Sequence, residues 1–301
     1  MILIFGANGQ LGTDLKELLN KNGLEYIATD KNEIDITKKE IVKKYILDSN
    51  KFKNIKTIIN CAAYNDIDGA EESKDECFKV NMEAAVNLAL TAMEIGANYI
   101  TYSTDLVFNG RIEDYLYNNS MGFIEEDEVM PLSNFAQSKF EAEMLLLNAL
   151  ENFSSTSKIF IIRTSWLFGK GNDNFIEKLI RSANDNNEIF VVDDQVSSPT
   201  SSKDLAEFSY KLLNRNLESG IYHFTNDGIV SKYDFAKYVL EKINWKGKLI
   251  PIKTNEITLT AKRPEFSKLN CKKIKEKLEE EIPHWTDAID RYFKENLDRY
   301  L

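Results

Sequence analysis

Short apolar runs alternate with longer amphipathic segments along the chain. The runs are rich in Ile, Val, Tyr and Thr, which is typical of strands buried on both faces of a parallel sheet. The predicted strands are Ile2–Phe5, Tyr26–Thr29, Thr57–Cys61, Tyr99–Ser103, Ile159–Thr164 and Ile189–Val192. The predicted helices are Leu11–Asn20, Lys38–Asp48, Glu76–Ile95 and Phe135–Leu150. This alternation predicts an α/β fold with a doubly wound parallel sheet over the first 165 residues.

The pattern changes after Trp166, where shorter strands are mixed with helices. Strands are predicted at Tyr222–Thr225 and Leu249–Ile252, and helices near 203–214, 231–243 and 284–298. No linker rich in Pro, Gly or Ser separates the two parts. We therefore expect a smaller C-terminal lobe that is partly interleaved with the sheet. The acidic stretch Asn109–Met130 predicts a long surface loop.

Composition narrows the class of protein. The 301 residues include 43% hydrophobic and 29% charged positions, as in ordinary globular proteins. The formal net charge of -10 argues against a nucleic-acid surface, which needs clustered Lys and Arg. No apolar run approaches the roughly 20 residues that span a bilayer. Three widely spaced cysteines and two distant histidines form neither a disulfide framework nor a metal-site motif, so a cytoplasmic, metal-free protein is expected.

Three glycines follow the first predicted strand and open the first predicted helix. Gly6, Gly9 and Gly12 have the spacing G-x-x-G-x-x-G, which differs from the G-x-G-x-x-G of typical dehydrogenases. Glycine lets the backbone approach a pyrophosphate, and a helix N-terminus supplies free N–H donors and partial positive charge. The position of the motif predicts binding of a nicotinamide dinucleotide.

Asp30 ends the second strand about twenty residues after the glycines, where an acidic side chain binds the ribose 2′-hydroxyl of NAD. The neighbouring Lys31 is suited to the 2′-phosphate of NADP, so both NADH and NADPH stay open. The alternative interpretation of Asp30 is a residue that only caps its own loop, since Asp is common in turns.

Further motifs occur in order along nearly the whole chain. They are Asn60-Cys61-Ala62-Ala63-Tyr64, Asp68 with Ala70-Glu71, Ser103-Thr104-Asp105-Leu106-Val107-Phe108-Asn109-Gly110, Arg163-Thr164-Ser165-Trp166, Asp194-Gln195 with Ser198-Pro199-Thr200, Gly220-Ile221-Tyr222-His223 and Lys262-Arg263-Pro264. Together with the glycines they make the chain similar to extended short-chain dehydrogenases/reductases, and most specifically to the dTDP-4-dehydrorhamnose reductase family. That family reduces the C4 ketone of a nucleotide sugar to give dTDP-L-rhamnose. The resemblance implies a Rossmann-type fold, NADPH or NADH as cofactor, and a nucleotide-sugar substrate.

The resemblance also implies which residues contact the ligands. Cofactor contacts are expected from Gly6, Asn8, Gly9, Gln10, Leu11, Gly12, Asp30, Asp35, Ile36, Cys61, Ala62, Ala63, Tyr64, Asn81 and Lys139. Substrate contacts are expected from Thr104, Asp105, Val107, Phe108, Trp166 and Arg263. Residues 1–168 are the expected NAD(P)-binding domain, and residues 169–301 the expected substrate-binding lobe.

Family members share a catalytic arrangement of three side chains. A Thr or Ser after the fourth strand binds the substrate carbonyl, a Tyr donates the proton, and a Lys four residues later binds the nicotinamide ribose and lowers the Tyr pKa. The spacing of four places the Tyr and Lys on one helix face. Here Thr104 and Lys139 match two of these positions, and Phe135 occupies the tyrosine position.

Phenylalanine keeps the packing of the tyrosine ring and loses its O–H group. Removal of a positioned general acid typically costs about a hundred- to ten-thousand-fold in rate. Three explanations are open: another donor such as Thr104, Tyr64 or a water substitutes, the chain is an inactive form, whether natural or engineered, or it is a binding protein. The last is similar to the regulatory β subunit of methionine adenosyltransferase, of the same wider family. A reductase or epimerase acting on another nucleotide sugar is a further alternative.

Several single residues keep two interpretations. Trp166 either offers a flat apolar surface to a deoxysugar or packs in the core. Arg263 either meets a diphosphate or forms a surface ion pair. Asp35 either contacts adenine or caps the next helix, and Lys139 without the family motif is an ordinary exposed lysine. A homodimer is compatible with the sequence.

Overall fold

The computed structural model describes residues 1–111, 113, 121–152, 156–170, 174–215 and 217–296. Its strands are β1 (Ile2–Phe5), β2 (Tyr26–Thr29), β3 (Thr57–Asn60), β4 (Asn98–Thr104), β5 (Ile159–Thr164), β6 (Leu167–Phe168), β7 (Glu188–Val192), β8 (Val196–Ser197), β9 (Thr200–Ser201), β10 (Gly220–His223), β11 (Val230–Ser231) and β12 (Lys248–Ile252). Its α-helices are α1 (Gln10–Lys21), α2 (Lys39–Lys53), α3 (Gly69–Glu72), α4 (Lys74–Phe78), α5 (Ala85–Glu94), α6 (Asn134–Asn152), α7 (Phe175–Asp185), α8 (Ser202–Asn214), α9 (Lys232–Lys242), α10 (Lys272–Leu278) and α11 (Trp285–Asn296). A π-helical turn (Lys79–Ala84) joins α4 to α5, and 3₁₀ turns lie at Asp105–Val107 and Thr254–Glu256.

Six strands form one sheet in the order β10-β5-β4-β3-β1-β2, and every neighbouring pair is parallel. The strands are short and apolar because both faces of the sheet are covered by helices. Helices α1, α8 and α10 cover one face, and α2, α5 and α6 cover the other. The predicted Rossmann-type fold with a doubly wound parallel sheet is confirmed.

The structure supplies the partners of two predicted strands that the sequence left unassigned. The run Ile189–Val192 lies in β7, which pairs with β12 in a separate two-stranded sheet. The run Tyr222–Thr225 lies largely in β10, which pairs with β5 and becomes an edge strand of the main sheet. Both are short apolar runs, and their periodicity carries no information on which strand each one pairs with.

The C-terminal part is divided between two cores. Helices α7, α9 and α11 pack around Phe235 and Trp285 in a hydrophobic cluster of their own. Helices α8 and α10 instead pack against the sheet beside α1. The C-terminal part thus supplies strand β10 to the main sheet and helices α8 and α10 to one of its faces. The domain boundary at residue 168 stays a prediction.

A buried ion pair ties β5 to its neighbours. The guanidinium of Arg163 donates to both carboxylate oxygens of Glu143, at 3.0 and 2.7 Å, and both side chains are 2% exposed. It also lies 3.3 Å from Nε2 of His223 on β10. Burial and the Arg163 charge hold the pKa of His223 well below its ordinary value, so the imidazole is neutral. Helix α6 and strand β10 are therefore fixed to the same point of the sheet.

The prediction of a surface loop at Asn109–Met130 is wrong for Phe123. Its ring stacks on Phe108 with centroids 4.4 Å apart, and its backbone hydrogen-bonds to Lys268 and Asn270. Residues 112 and 114–120 of this stretch lie outside the described residues. Among the helices that the structure describes, none combines the length and apolarity needed to cross a bilayer.

Candidate active site

A cleft with a cavity volume of about 830 Å³ lies at the carboxyl ends of the sheet strands. The turn after β1, the ends of β2, β3, β4 and β5, and helix α6 form the part that belongs to the sheet. The start of β6, the start of α7, the start of β8, the first residue of α9 and the segment 263–267 contribute lining from the C-terminal part. Open α/β sheets bind their ligands at this edge, in the crevice beyond the strand ends.

The glycine turn is shaped by close backbone contacts. Gly6 has φ +72°, and a Cβ there would lie 2.5 Å from the backbone nitrogen of Ala62. A Cβ at Gly12 would overlap the carbonyl of Gly6 and lie 2.7 Å from Cα of Ala7. Gly9 caps α1 without a side-chain hydrogen bond, so the amides of the first helical turn are left for an anion. Gly6, Gly9, Gln10 and Leu11 line the cleft, whereas Gly12 lets helix α1 approach the backbone of the turn at Gly6 and Ala7.

The end of β2 forms one wall of the cleft. The carboxylate of Asp30 accepts hydrogen bonds from the backbone amides of Asn8 at 2.9 Å and Lys31 at 2.7 Å. It therefore ties the glycine turn to β2 while it lines the cleft. Asn8 does not line the cleft, and its side chain accepts from Lys16.

Asp35 and Ile36 continue this wall. The Asp35 carboxylate accepts from the backbone and hydroxyl of Thr37, which hold its pKa below the ordinary value. The residue that caps α2 is Lys38, so the alternative in which Asp35 caps that helix does not apply. Both Asp35 and Ile36 line the cleft.

The π-helical turn fixes the loop after β3. Its buried Asn81 accepts from the backbone amide of Tyr64 at 2.8 Å and donates to the Tyr64 carbonyl at 3.1 Å. Asn81 also donates to the Ser138 hydroxyl at 3.1 Å. Asn81 itself does not line the cleft, but Cys61, Ala62, Ala63 and Tyr64 of the loop that it holds do so.

Thr104 and Asp105 lie at the end of β4, in the floor of the cleft. The Thr104 hydroxyl lies 3.2 Å from Oδ1 of Asp105, to which it donates. Oδ2 of Asp105 accepts from Ser197 at 3.1 Å and from Ser267 at 2.5 Å. Burial raises the pKa of Asp105 to about 6, against the opposing effect of these hydrogen bonds.

Phe135 and Lys139 lie one helical turn apart on α6, and both face the cleft. Phe135 is 6% exposed and packs with Tyr64 in a small apolar cluster. The Lys139 ammonium donates to the carbonyl of Tyr102 at 3.0 Å. Burial lowers the pKa of Lys139 to about 8. Lys139 is 8% exposed, so the alternative interpretation as an ordinary exposed lysine does not apply.

Trp166 and Arg263 line the side of the cleft formed by the C-terminal half. Trp166 has φ +41°, and its ring packs toward Phe235. Arg263 donates to both carboxylate oxygens of Asp68, at 3.1 and 2.5 Å, and its side chain is only 13% exposed. Arg263 thus forms an ion pair within the cleft wall, in which the guanidinium is largely buried and the Asp68 carboxylate is partly exposed.

Two residues predicted to contact substrate lie elsewhere. Val107 and Phe108 are fully buried and pack with Leu269 in a hydrophobic cluster outside the lining of the cleft. The 3₁₀ turn that follows β4 points both side chains into the core. Their contribution is the support of the segment that carries Thr104 and Asp105.

The family of the chain follows from comparison with known proteins. The family model described as RmlD substrate binding domain matches residues 1–297. The chain belongs to the RmlD substrate binding domain family.

Relatives of this RmlD family member match it over nearly their whole length. A dTDP-4-dehydrorhamnose reductase of Aggregatibacter actinomycetemcomitans is 36% identical over 300 residues, which cover 96% of each chain. The spore coat polysaccharide biosynthesis protein SpsK of Bacillus subtilis is 34% identical over 98% of this chain and 97% of its own. The solved structure of a dTDP-4-dehydrorhamnose reductase from Bacillus anthracis in complex with NADP has a TM-score of 0.87 and 33% identity, with 98% of each chain covered.

One residue of this family member escapes the sequence motifs. Lys232, the first residue of α9, lines the cleft from the C-terminal side, together with Phe175, Gln195 and Ser267. Lys232, Phe175 and Ser267 lie on separate elements far apart in the sequence, so no local spacing marks them, whereas Gln195 belongs to the Asp194-Gln195 motif. The available signal for Lys232 is weak, since a lysine in the first helical turn is unfavourable to the helix dipole.

Proposed function

We propose that the protein is an NAD(P)H-dependent reductase that reduces the C4 ketone of a nucleotide-linked 4-keto-6-deoxysugar. Conversion of dTDP-4-dehydrorhamnose to dTDP-L-rhamnose is the specific reaction proposed. The observation that carries the proposal is a single cleft that contains the glycine turn at one side and Thr104 and Lys139 in its floor. The names of relatives at 36% and 33% identity support the substrate class.

The residues present fit a dinucleotide. Gly6 permits the tight turn after β1, and the first turn of α1 offers amides to the pyrophosphate. The hydroxyl of Ser103 is buried, lines the cleft and has no hydrogen-bond partner among the described residues, so it is free to bond a ligand. Asp30 and Lys31 lie together where a ribose hydroxyl or 2′-phosphate would bind.

Each floor residue has a defined task in this proposal. The Thr104 hydroxyl donates a hydrogen bond to the substrate ketone in place of its present bond to Asp105, and so polarises it. Lys139 holds the nicotinamide ribose with a buried ammonium that is already positioned by the Tyr102 carbonyl. The reduced nicotinamide, when bound, supplies the hydride.

Proton delivery is the incomplete part of the site. Phe135 has no hydroxyl group to donate a proton. Tyr64 has one, and its side chain packs in the same apolar cluster as Phe135. This observation favours a second candidate function, a catalytically weak or silent NAD(P)-binding protein that regulates a partner. The two candidates share cofactor binding and differ in turnover.

The deciding experiment is a turnover assay with purified protein, NADPH or NADH, and dTDP-4-dehydrorhamnose, followed by the absorbance of the reduced nicotinamide. Oxidation that scales with enzyme concentration and yields dTDP-rhamnose supports the reductase. No oxidation at high enzyme, together with normal NADPH binding, contradicts it and supports the silent protein. A panel of other nucleotide-linked keto sugars in the same assay tests the third alternative, a different sugar substrate.

A further inference from the structure

The cleft contains several cationic side chains, and their surroundings differ. Lys139 donates to the Tyr102 carbonyl, and Arg263 is neutralised by the two-oxygen contact with Asp68. Lys31 and Lys79 line the cleft but are exposed to solvent. Among the described residues no carboxylate lies within ion-pair distance of the Lys232 ammonium. Lys232 is therefore a half-buried cation in the cleft wall that has no carboxylate partner among the described residues.

Lys232 is held in a defined place. Its backbone amide donates to the Gln195 carbonyl at 3.0 Å, and its ammonium lies 5.5 Å from the centre of the Trp166 ring. Trp166 keeps a left-handed backbone conformation that is unusual for a non-glycine residue, so its surroundings fix it firmly. The lysine is therefore fixed beside a flat apolar surface that faces the cleft.

The charges that face Lys232 come from three elements. Burial is the largest effect that lowers its pKa, the Arg263 charge lowers it too, and Asp105 and Asp68 oppose them, which leaves a pKa of about 8. The ammonium is thus mostly charged at neutral pH, in a place where its charge is poorly solvated. An anion bound beside it would supply the missing counter-charge and raise its pKa. Because the net charge of the protein is -10, its overall field repels an anionic ligand, and a local cation offsets that repulsion at the binding site.

We propose that Lys232 binds the diphosphate group of a nucleoside diphosphate ligand, next to the sugar position over Trp166. The choice of ligand rests on the proposed function, because the nucleotide-linked sugar carries this group. Arg263 has a supporting role in the proposal, since it is held in the wall by Asp68. The proposal assigns the main electrostatic contact to Lys232.

The test is isothermal titration of thymidine diphosphate into the full chain and four variants. Lys232→Met and Lys232→Gln remove the charge, Lys232→Arg retains it, and Lys237→Met removes a charge from the exposed side of the same helix. We expect both neutral variants to bind thymidine diphosphate about ten- to hundred-fold more weakly, as for loss of a hydrogen bond between charged groups. Lys232→Arg and Lys237→Met should stay within a few-fold of the parent protein. NADPH affinity should be unchanged in all four.

Specific outcomes overturn the proposal. Equal affinity of the parent protein and the neutral variants for thymidine diphosphate would show that another group binds the phosphates. An equal loss of NADPH affinity would show that Lys232 supports the cleft as a whole. A lower kcat with unchanged thymidine diphosphate affinity would make Lys232 a proton donor. Because this titration needs no turnover, the proposal on Lys232 and the reductase function fail or succeed separately.

Discussion

At the scale of single residues, Phe135 has the largest expected influence on turnover. Its ring lines the cleft one helical turn before Lys139. In Phe135→Tyr the added hydroxyl would face the same space and supply a proton donor. If the chain is a reductase limited by proton transfer, single-turnover reduction should rise by about a hundred- to ten-thousand-fold.

A hydroxyl added elsewhere on the same helix is the matched control. Phe140 packs with the cluster around Val107 and Phe108, away from the cleft. Phe140→Tyr should leave the rate of reduction unchanged. An unchanged rate in Phe135→Tyr as well would contradict the role given to the missing hydroxyl. In that case Tyr64 is the candidate for the substitute donor. If Tyr64 donates the proton, Tyr64→Phe should lower the rate of reduction below that of the parent protein.

Asp105 gives the protein a defined pH dependence. Its pKa is about 6 in the folded protein, above the ordinary value of 3.8, because the carboxylate is buried. Between these values the folded state binds more protons than the unfolded state, so this group's contribution to stability falls as the pH rises from about 4 to 6. Asp105→Asn removes that dependence.

Chemical unfolding of both proteins from pH 4 to 7 measures the effect. The free energy of unfolding of Asp105→Asn minus that of the parent should increase by up to about 3 kcal/mol over this range and then level off. Lost hydrogen bonds from Ser197, Ser267 or Thr104 shift this difference by a constant and leave its slope with pH intact. A flat difference would contradict the raised pKa.

At the scale of elements, the π-helical turn Lys79–Ala84 acts through one side chain. Asn81→Ala leaves the half-buried amide and carbonyl of Tyr64 without their present partner, which costs about 1 kcal/mol of stability. Because the loop it holds lines the cleft, NADPH affinity should fall as well. Urea unfolding and a fluorescence titration with NADPH measure the two effects. Glu83→Ala, an exposed change on the same turn, should alter neither, and unchanged NADPH affinity in Asn81→Ala would contradict the role of this loop.

Sequence patterns predict elements of this fold far better than they predict strand partners. Burial on both faces makes the strands of the main sheet visible as apolar runs, and the glycine turn is visible because only glycine fits beside Ala62. The place of β10 beside β5 is a long-range pairing, which local periodicity does not encode. The contacts of Lys232 with Trp166 and of Arg263 with Asp68 are long-range too, so no local pattern predicts either of them. Val107 and Phe108 were misplaced because motif order along the chain carries no information about which way a side chain points.

At the scale of the whole molecule, the two halves of the chain depend on each other. Leu15 and Leu19 of α1 pack against Leu205 and Phe208 of α8, and β10 completes one edge of the sheet. A fragment of residues 1–168 would expose this apolar face, so we expect it to lack a cooperative thermal transition, whereas the full chain has one. Circular dichroism measures both. A cooperatively folded fragment would instead establish residues 1–168 as an independent domain.

The late position of β10 in the chain also bears on how the protein is made. Strand β5 ends at residue 164 and its partner β10 ends at residue 223. At about 5–20 residues per second, the ribosome needs roughly 3–12 seconds to add the residues between them. During that interval the nascent chain exposes an unpaired strand edge, which is a template for misassembly. The speed of translation over this stretch, and any chaperone that covers the edge, therefore influence the yield of native protein.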